Sequence, residues 1–387
     1  ISNFPSCVRT IDSAWMLSKE IDLRHVTLID LDLKLTSIDW ENFTIDATTL
    51  FLGCEMDKEL EIKLRSLGAS MLAKPQHLPY QPLRSRLYTW QELMHGYSPE
   101  DDQSYDLRIY THFSHYRSSP CMQEALYERL HDFSMDEALR RLLSFGVDGL
   151  PKRRCVGFMG GHSMGRDKHY YRLSVQTAKL LTEAGFLVVS GGGPGIMEAA
   201  NLGAYLAGRT QDELDWVLDT LARAPKYTDP GFHEAALKVL ARFPDGEESL
   251  AIPTWFYGHE PSNLFATFIA KYFSNSILDD TLLAISIYGI VFAPGSAGTT
   301  QEIFQDAAQN HYVTFDYVSP MGFLSKQRYE IDTSIFPLLQ QLAKGKDYAA
   351  YLHLTDDPAD VVNFIQAKKP KAVKDHKLDL NALTFLA

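Results

Sequence analysis

The sequence predicts an α/β protein with a doubly wound parallel sheet. From residue 155 onward, short runs of apolar residues alternate with segments of helical periodicity, and glycine-rich turns follow three of the apolar runs. Apolar strands that alternate with helices are typical of a parallel sheet covered on both faces. The pattern therefore predicts a Rossmann-like fold, whose ligand crevice lies outside the carboxyl ends of the strands, where these glycine turns fall.

Length and charge narrow the class of protein further. The chain has 387 residues, enough for two to three domains, and its 45% hydrophobic and 22% charged residues are typical of a globular protein. Its 49 acidic residues outnumber 37 basic ones, which gives a formal net charge of −12. A broad surface that neutralises phosphates is therefore not expected, and a nucleic-acid polymer is excluded as a partner. A small anion can still bind to backbone amides.

The cysteines and the apolar segments indicate where the protein works. The four cysteines, Cys7, Cys54, Cys121 and Cys155, form no CxxC pair, so we expect no zinc or redox site and a reducing compartment. The most apolar stretch, residues 282–293, is shorter than the ~20 residues that a membrane span needs. No signal-peptide pattern begins the chain. We therefore expect a soluble cytoplasmic protein without a membrane partner.

Residues 1–150 are predicted to form a smaller N-terminal α/β domain, to which the sequence assigns no role. An apolar run at 47–54 predicts a buried strand, and apolar residues at helical spacing predict a helix over 122–133. The capping-box sequence at 134–137 predicts the start of a second helix. The glycine, proline and basic residues of segment 146–154 indicate the domain boundary.

Residues 151–387 are predicted to form the nucleotide-binding domain, with a helical insertion at 210–248. This hairpin is interpreted equally as a lid, an oligomer contact or simple packing. Apolar runs predict five strands, and helical periodicity places helices between and after them. The predicted strands are 155–159, 186–190, 250–253, 287–293 and 313–318, and the predicted helices are 170–184, from 196 onward, 298–310, 335–342 and 359–366.

The strongest chemical feature is a pair of glycine loops, each between an apolar strand and a helix. Glycine permits close approach of the backbone, and the following helix presents unpaired N–H groups with a partial positive charge. The loop PGSAGTTQE at 294–302 adds two hydroxyls and then a carboxylate, Glu302. The loop GGGPGIM at 191–197 supplies a second wall, followed by Glu198. Either loop alone also fits a tight βα turn, but two in one sheet favour a site for a phosphorylated ligand.

These two motifs resemble those of the LOG-type nucleotide phosphoribohydrolases, formerly called lysine decarboxylase-like, and of their larger nucleoside 5′-monophosphate nucleosidase relatives. The family patterns GGGxxGxM and PGGxGTxxE match 191–197 and 294–302 in order, with Ser296 in place of one glycine. The similarity covers about residues 152–320. It implies cleavage of the N-glycosidic bond of a nucleoside 5′-monophosphate to free base and ribose 5-phosphate, without metal or organic cofactor, by a homo-oligomer.

The resemblance also implies roles for individual residues. Glu302 is the predicted catalytic carboxylate, which would stabilise an oxocarbenium-like sugar and activate water. The PGSAG loop would receive the 5′-phosphate, and the GGGPG loop would line the nucleotide. The predicted binding residues are Gly191, Gly192, Gly193, Met197, Glu198, Gly295, Ser296, Gly298, Thr299 and Thr300, with Ser163 in the first loop after a strand.

One departure from the family leaves a second hypothesis open. The family usually has an arginine about fifteen residues before PGG, but this chain has none between Arg242 and Pro294. Lys271 or Asn275 are the candidate substitutes, although neither has the planar fork of a guanidinium. The chain is therefore also a candidate for a non-catalytic nucleotide sensor or carrier. In the polar segment 258–263, His259 and Glu260 are further candidates for the site.

A competing interpretation is a serine α/β-hydrolase. The sequence GHSMG at 161–165 fits the nucleophile elbow around Ser163, with Asp279 and His311 in the right chain order for a triad. The loop continues where the elbow should enter a helix, and this interpretation leaves both glycine loops without a role. The histidine pairs at 112 and 115 and at 162 and 169 lack further ligands at metal spacing.

Overall fold

The computed structural model describes residues 7–8, 21–34, 38–75, 77–146, 150–258 and 260–373. The chain divides into two compact units, Ile1–Ser85 and Arg86–Ala387. None of the helices in the described ranges is long and apolar enough to cross a membrane.

The first unit is built on a four-stranded parallel sheet in the order β1-β3-β5-β6, with a separate parallel pair β2-β4. Its helix α1 begins where the Asp57 side chain accepts the N–H of Leu60. A small apolar core around Leu28, Trp40 and Phe51 holds the sheet and the helix together. The elements are β1 Cys7–Val8, β2 Ile21–Asp22, β3 Thr27–Ile29, a 3₁₀ turn Trp40–Asn42, β4 Phe43–Thr44, β5 Leu50–Leu52, α1 Lys58–Ser66 and β6 Ser70–Leu72.

The second unit contains a seven-stranded sheet in the order β10-β9-β8-β7-β11-β13-β14, and all its neighbouring strands are parallel. The predicted Rossmann-like α/β class is confirmed. The central strand β7 is buried along its whole length, as the apolar sequence predicts. The strands are β7 Cys155–Met159, β8 Leu187–Ser190, β9 Leu250–Ala251, β10 Phe268–Ile269, β11 Ile290–Phe292, β13 Met321–Leu324 and β14 Leu352–Thr355, while β12 Tyr317–Val318 pairs with β15 Lys371–Ala372 outside this sheet.

The helices of the second unit connect these strands and cover the sheet. Helix α5 begins ten residues after β7 ends, and α6 and α10 follow the two glycine loops directly. The predicted insertion forms the hairpin α7 and α8. The helices are α2 Trp90–Leu93, α3 Tyr105–Tyr116, α4 Met122–Leu143, α5 His169–Glu183, α6 Ile196–Tyr205, α7 Gln211–Leu221, α8 Phe232–Arg242, α9 Asn275–Ile285, α10 Ala297–Tyr312, α11 Ile335–Leu342 and α12 Pro358–Ala367, with a π-helical turn Gln327–Asp332 and a 3₁₀ turn Asp347–Tyr351.

The strand order fixes where a ligand can bind. From β7 the chain proceeds to β8, β9 and β10 on one side, and from β11 it proceeds to β13 and β14 on the other side. The order therefore reverses between β7 and β11. In an open parallel sheet, the crevice at such a switch point, at the carboxyl ends of the strands, is the ligand site.

Two predictions about the region before residue 150 differ from the structure. The capping-box sequence at 134–137 does not start a new helix, because Ser134 and Asp136 lie buried inside the continuous helix α4. The predicted boundary near residue 150 also falls inside the second unit. Helix α4 belongs to that unit because Asp132 accepts the N–H groups of Phe273 and Ser274, at 2.9 and 3.0 Å.

Candidate functional site

Three glycine turns meet at the carboxyl ends of β7, β8 and β11. The N–H of Gly161 donates to the carbonyl of Pro294 at 3.0 Å, and the N–H of Ile196 donates to the carbonyl of Gly161 at 3.1 Å. Gly195 has φ +70°, and a Cβ atom there would lie 2.5 Å from the carbonyl oxygen of Gly161. Only glycine permits both the conformation and this approach, so the sequence GGGPG is what brings the three turns together.

These turns surround a cavity of about 470 Å³. Its floor is the backbone of the turns, and its side walls come from the segment after β9 and from the beginnings of α9 and α10. The residues that line it are Gly160, Gly161, His162, Gly191, Gly193, Met197, Pro253, Thr254, Tyr257, Gly258, Glu260, Asn275, Ser296, Gly298, Thr299, Gln301 and Glu302.

Three helices begin at the cavity. Helices α6, α9 and α10 begin beside it, and Met197, Asn275 and Gly298 in their first turns line it. The N-terminus of a helix carries unpaired N–H groups and about half a positive charge. Since neither lysine nor arginine is among the described lining residues, this potential comes from the helix ends. The arrangement suits a phosphate group.

The loop PGSAG is shaped to leave its amides accessible. A Cβ atom on Gly295 would collide with Thr299 Oγ1, whereas a Cβ atom on Gly298 would meet nothing within 4 Å. Ser296 and Thr299 face the cavity. Thr300 does not line it, because its hydroxyl donates to the carbonyl of Ser296 at 3.0 Å. Gly298 and Thr299 therefore form the open face of the loop.

Two side chains that the sequence analysis missed hold this loop from behind. Arg328 Nη2 donates to the carbonyl of Gly295 at 2.6 Å, and the Tyr329 hydroxyl donates to the carbonyl of Ala293 at 2.6 Å. Both lie in the π-helical turn after β13, a type of turn that is frequent at functional sites. These two hydrogen bonds fix the carbonyls of Ala293 and Gly295 and so hold the loop in place.

Glu302 lies in the second turn of α10 and lines the cavity beside Thr299. Burial raises the pKa of the nearby Tyr329 hydroxyl, and the negative charge of Glu302 raises that pKa further. The structure thus places a carboxylate within one helical turn of the candidate phosphate loop. The catalytic role of Glu302 stays a prediction.

Glu198, in contrast, lies outside the cavity and is almost completely buried. Its two carboxylate oxygens accept from Arg166 at 2.8 and 2.5 Å, and Tyr171 donates to it at 2.9 Å. Burial disfavours the charge on Arg166, but Glu198 outweighs burial and raises the pKa of Arg166. The guanidinium also lies 3.4 Å from the ring centroid of Phe232, so this group anchors the helical hairpin to the sheet.

The other predicted binding residues take two kinds of position. Gly191, Gly193 and Met197 line the cavity. Gly192 lies behind the loop, where its N–H donates to Ser190 Oγ at 3.0 Å. Lys271 is buried, and its Nζ bonds Asp106 Oδ2 at 2.8 Å, which explains why it does not reach the cavity as a substitute for the family arginine.

The wall opposite α10 contains Tyr257, Glu260 and Asn275. A Cβ atom on Gly193 would lie 3.1 Å from Glu260 Oε2, so the carboxylate lies against the GGGPG loop. Asn275 Nδ2 donates to the Tyr257 hydroxyl at 2.9 Å. His259, the other candidate in this segment, lies outside the described residues.

The geometry does not assemble the serine-hydrolase triad. Ser163 is exposed and is not among the lining residues of the cavity. His311 is in the last turn of α10, nine residues beyond Glu302, which corresponds to about 14 Å along the helix and away from the cavity. The side chain of Asp279 lies outside the described residues.

Within the part of the chain that the structure describes, no group of three or more histidine, cysteine, aspartate or glutamate side chains is arranged to hold a metal ion.

Comparisons with known proteins show distant structural likeness. No protein-family model matches the sequence. No curated protein matches it. Similar solved structures include the molybdenum cofactor binding protein from the phototrophic bacterium Rippkaea orientalis, with 13% identity and a TM-score of 0.36 over 56% of this chain and 97% of that chain. The Moco carrier protein from Chlamydomonas reinhardtii has 14% identity and a TM-score of 0.35 over 56% and 99%. The structure of TM1055 has 16% identity and a TM-score of 0.34 over 56% and 99%. At these identities and scores, binding or carriage of the molybdenum cofactor is said of the first two proteins and not of this chain.

Proposed function

We propose that the cavity binds a nucleoside 5′-monophosphate and hydrolyses its N-glycosidic bond, with Glu302 as the catalytic carboxylate. The observation that carries the proposal is one cavity lined both by the glycine loop at the start of α10 and by a carboxylate one helical turn away. The order and spacing of the two glycine motifs, which resemble the LOG-type family, support the same reaction. Binding of a nucleotide is the broader part of this proposal, and hydrolysis is the narrower part.

The proposed chemistry follows from this placement. The 5′-phosphate binds the open face formed by Gly298 and Thr299 at the start of α10, which leaves the ribose beside Glu302. As the bond from C1′ to the base nitrogen breaks, its electron pair leaves with the base and positive charge develops on the sugar. The carboxylate stabilises that charge and takes a proton from the water that adds to C1′. The departing base takes a proton from the solvent, Glu302 returns its proton to the solvent, and the products are free base and ribose 5-phosphate.

A second candidate function is a nucleotide carrier or sensor. The observation that favours it is the lack of arginine and lysine among the described residues that line the cavity, since a guanidinium beside Glu302 is what the family pattern leads one to expect. The two candidates differ in outcome, because a carrier binds the nucleotide and returns it unchanged.

The experiment compares the wild type with Glu302→Gln. Each protein is incubated with AMP, GMP, IMP, CMP and UMP, free base is followed by chromatography, and nucleotide binding is followed by calorimetry. We expect the wild type to release base and the variant to be slower by about 10²–10⁴-fold, since it loses a general base. Glu247→Gln, which changes an exposed carboxylate outside the cavity, is the matched control and should keep its rate.

The outcomes separate the hypotheses. Base release that persists at the wild-type rate in Glu302→Gln contradicts the assigned role of that residue. Binding without base release by the wild type supports the carrier instead. The same resemblance leads us to propose self-association into a dimer or a larger homo-oligomer, which light scattering of the purified protein tests directly.

A further inference from the structure

The cavity has a second carboxylate, on the wall opposite Glu302. Glu302 belongs to the helix that follows β11, whereas Glu260 belongs to the segment that follows β9. In the sheet order β9-β8-β7-β11, three strand spacings separate these two loops. At about 4.8 Å each, the two loops are about 14 Å apart. The Glu260 carboxylate reaches back to Gly193 after β8, which is two spacings, or about 10 Å, from β11. The two carboxylates therefore meet different parts of an elongated ligand.

The direction of the ligand follows from the proposed function, on which this inference rests. With the phosphate on the PGSAG loop and the anomeric carbon beside Glu302, the base extends across β7 and β8 toward the segment after β9. That segment contributes Tyr257 and Glu260 to the cavity. These residues therefore face the base, not the phosphate.

Tyr257 is suited to stack on a base. Its side chain is 69% exposed although it lines the cavity, and Asn275 Nδ2 donates to its hydroxyl at 2.9 Å. This hydrogen bond orients the ring at the cavity. Aromatic rings stack on every nucleobase, so this contact supplies affinity with little discrimination.

Glu260 is suited to discriminate among bases. Its Oε2 atom lies against Gly193. Within the described ranges, its carboxylate takes part in neither a hydrogen bond nor an ion pair. An ionised carboxylate only accepts hydrogen bonds, and it accepts two parallel ones best. A ligand group that satisfies it must therefore present donors, preferably two that lie side by side.

We infer that Glu260 selects a guanine base. Guanine presents the N1–H and the 2-amino group next to each other, and both can donate to one carboxylate. Hypoxanthine lacks the amino group, adenine places an acceptor beside its 6-amino group, and uracil flanks its N–H with two carbonyl oxygens. Guanosine 5′-monophosphate is therefore the ligand that this wall fits best.

The test measures kcat/KM, and the dissociation constant, for GMP, IMP and AMP. GMP and IMP differ by one amino group, so their ratio isolates its contact with Glu260. We expect the wild type to prefer GMP over IMP by roughly 10- to 100-fold, as expected for a hydrogen bond to a charged group. In Glu260→Gln the ratio should fall toward one, while Glu247→Gln should keep the wild-type ratio. Tyr257→Ala should weaken the binding of GMP, IMP and AMP by the same factor.

The failure of this inference is distinct from the failure of the proposed function. Base release by the wild type with a GMP to IMP ratio near one, or a ratio that Glu260→Gln leaves unchanged, overturns the inference and leaves the hydrolase intact. Selective binding of GMP that depends on Glu260 but is not followed by base release supports the inference and overturns the hydrolase. Failure of the wild type to bind any of the three nucleotides overturns both.

Discussion

Glu198 and Glu302 occupy similar places in the sequence and different places in the structure. Each follows a glycine turn within five residues and lies near the start of a helix. Glu198 is buried in an ion pair with Arg166, whereas Glu302 lines the cavity. A carboxylate after a glycine turn is therefore not diagnostic of a catalytic group. What distinguishes the two is position: the loop after β7 brings Arg166 to Glu198 in the interior, whereas Glu302 lines the cavity.

Glu198 and Glu302 should differ most in how much each contributes to the stability of the fold. Glu198→Ala should lower the free energy of unfolding by about 3–5 kcal/mol, because it leaves the buried guanidinium of Arg166 without its counter-ion. Glu302→Ala removes a side chain at the cavity and should change stability by less than about 1 kcal/mol. Urea unfolding of both variants and the wild type measures the difference. Equal losses in the two variants would contradict the distinction drawn between them.

The next effect concerns the two glycines of the PGSAG loop. Gly295→Ala forces Thr299 and the loop amides to shift, since the new Cβ atom would collide with Thr299 Oγ1. We expect kcat/KM for the nucleotide to fall by about 10- to 100-fold, because small displacements of positioning groups are costly. Gly298→Ala leaves the loop undistorted, since its Cβ atom would meet nothing within 4 Å, but it places a methyl group on the face where the phosphate is proposed to bind and so tests access separately. Glu247→Gln, outside the cavity, is the control and should keep the wild-type rate. A wild-type kcat/KM in Gly295→Ala would contradict the positioning role of this loop.

A pH-dependent effect extends the comparison one turn along α10, to Asp306. This carboxyl is fully buried beside Leu283 and Ile287, and burial raises its pKa to about 8. The folded state thus holds a proton that the unfolded chain loses at lower pH. Its contribution to stability is fully present below the unfolded pKa and is lost as the pH rises to about 8, by at most about 1.4 kcal/mol per pH unit.

Asp306→Asn should remove this dependence. The free energy of unfolding, measured between pH 5 and 9, should then depend less on pH in the variant. The variant should exceed the wild type in stability by more at pH 9 than at pH 5. A gain confined to the acid end would reverse the sign of the argument. Asp212→Asn, at an exposed position of α7, serves as the control and should keep the wild-type slope.

The fold was largely predictable because its central strands are short apolar runs with glycine after them. Strand β7 and helix α11 have the predicted bounds. Strands β13 and β14 were missed, since β13 contains Gly322 and β14 alternates apolar residues with His353 and Thr355. Helix α9 was missed because its apolar residues run on into β11 and hide the helical period.

The candidate site was predictable only as far as local motifs reach. The glycine loops and Glu302 could be located because turn geometry is encoded within a few residues. The partners that hold these groups in place, or keep them out of the cavity, come from distant parts of the chain. Arg166 meets Glu198 across 32 residues, Arg328 meets Gly295 across 33, and Asp106 meets Lys271 across 165. No spacing rule in a single sequence connects such positions.

The contacts of Asp106 and Asp132 have a consequence for how this protein can be dissected. Asp106 neutralises the buried Lys271, and Asp132 holds the backbone at the start of α9, whose first residue lines the cavity. A shortened chain that began at residue 150 would retain every glycine motif and yet would strand an ammonium group in the interior. The part of the chain that carries the glycine loops is thus not a portable module, because helices that precede residue 150 supply contacts on which it depends.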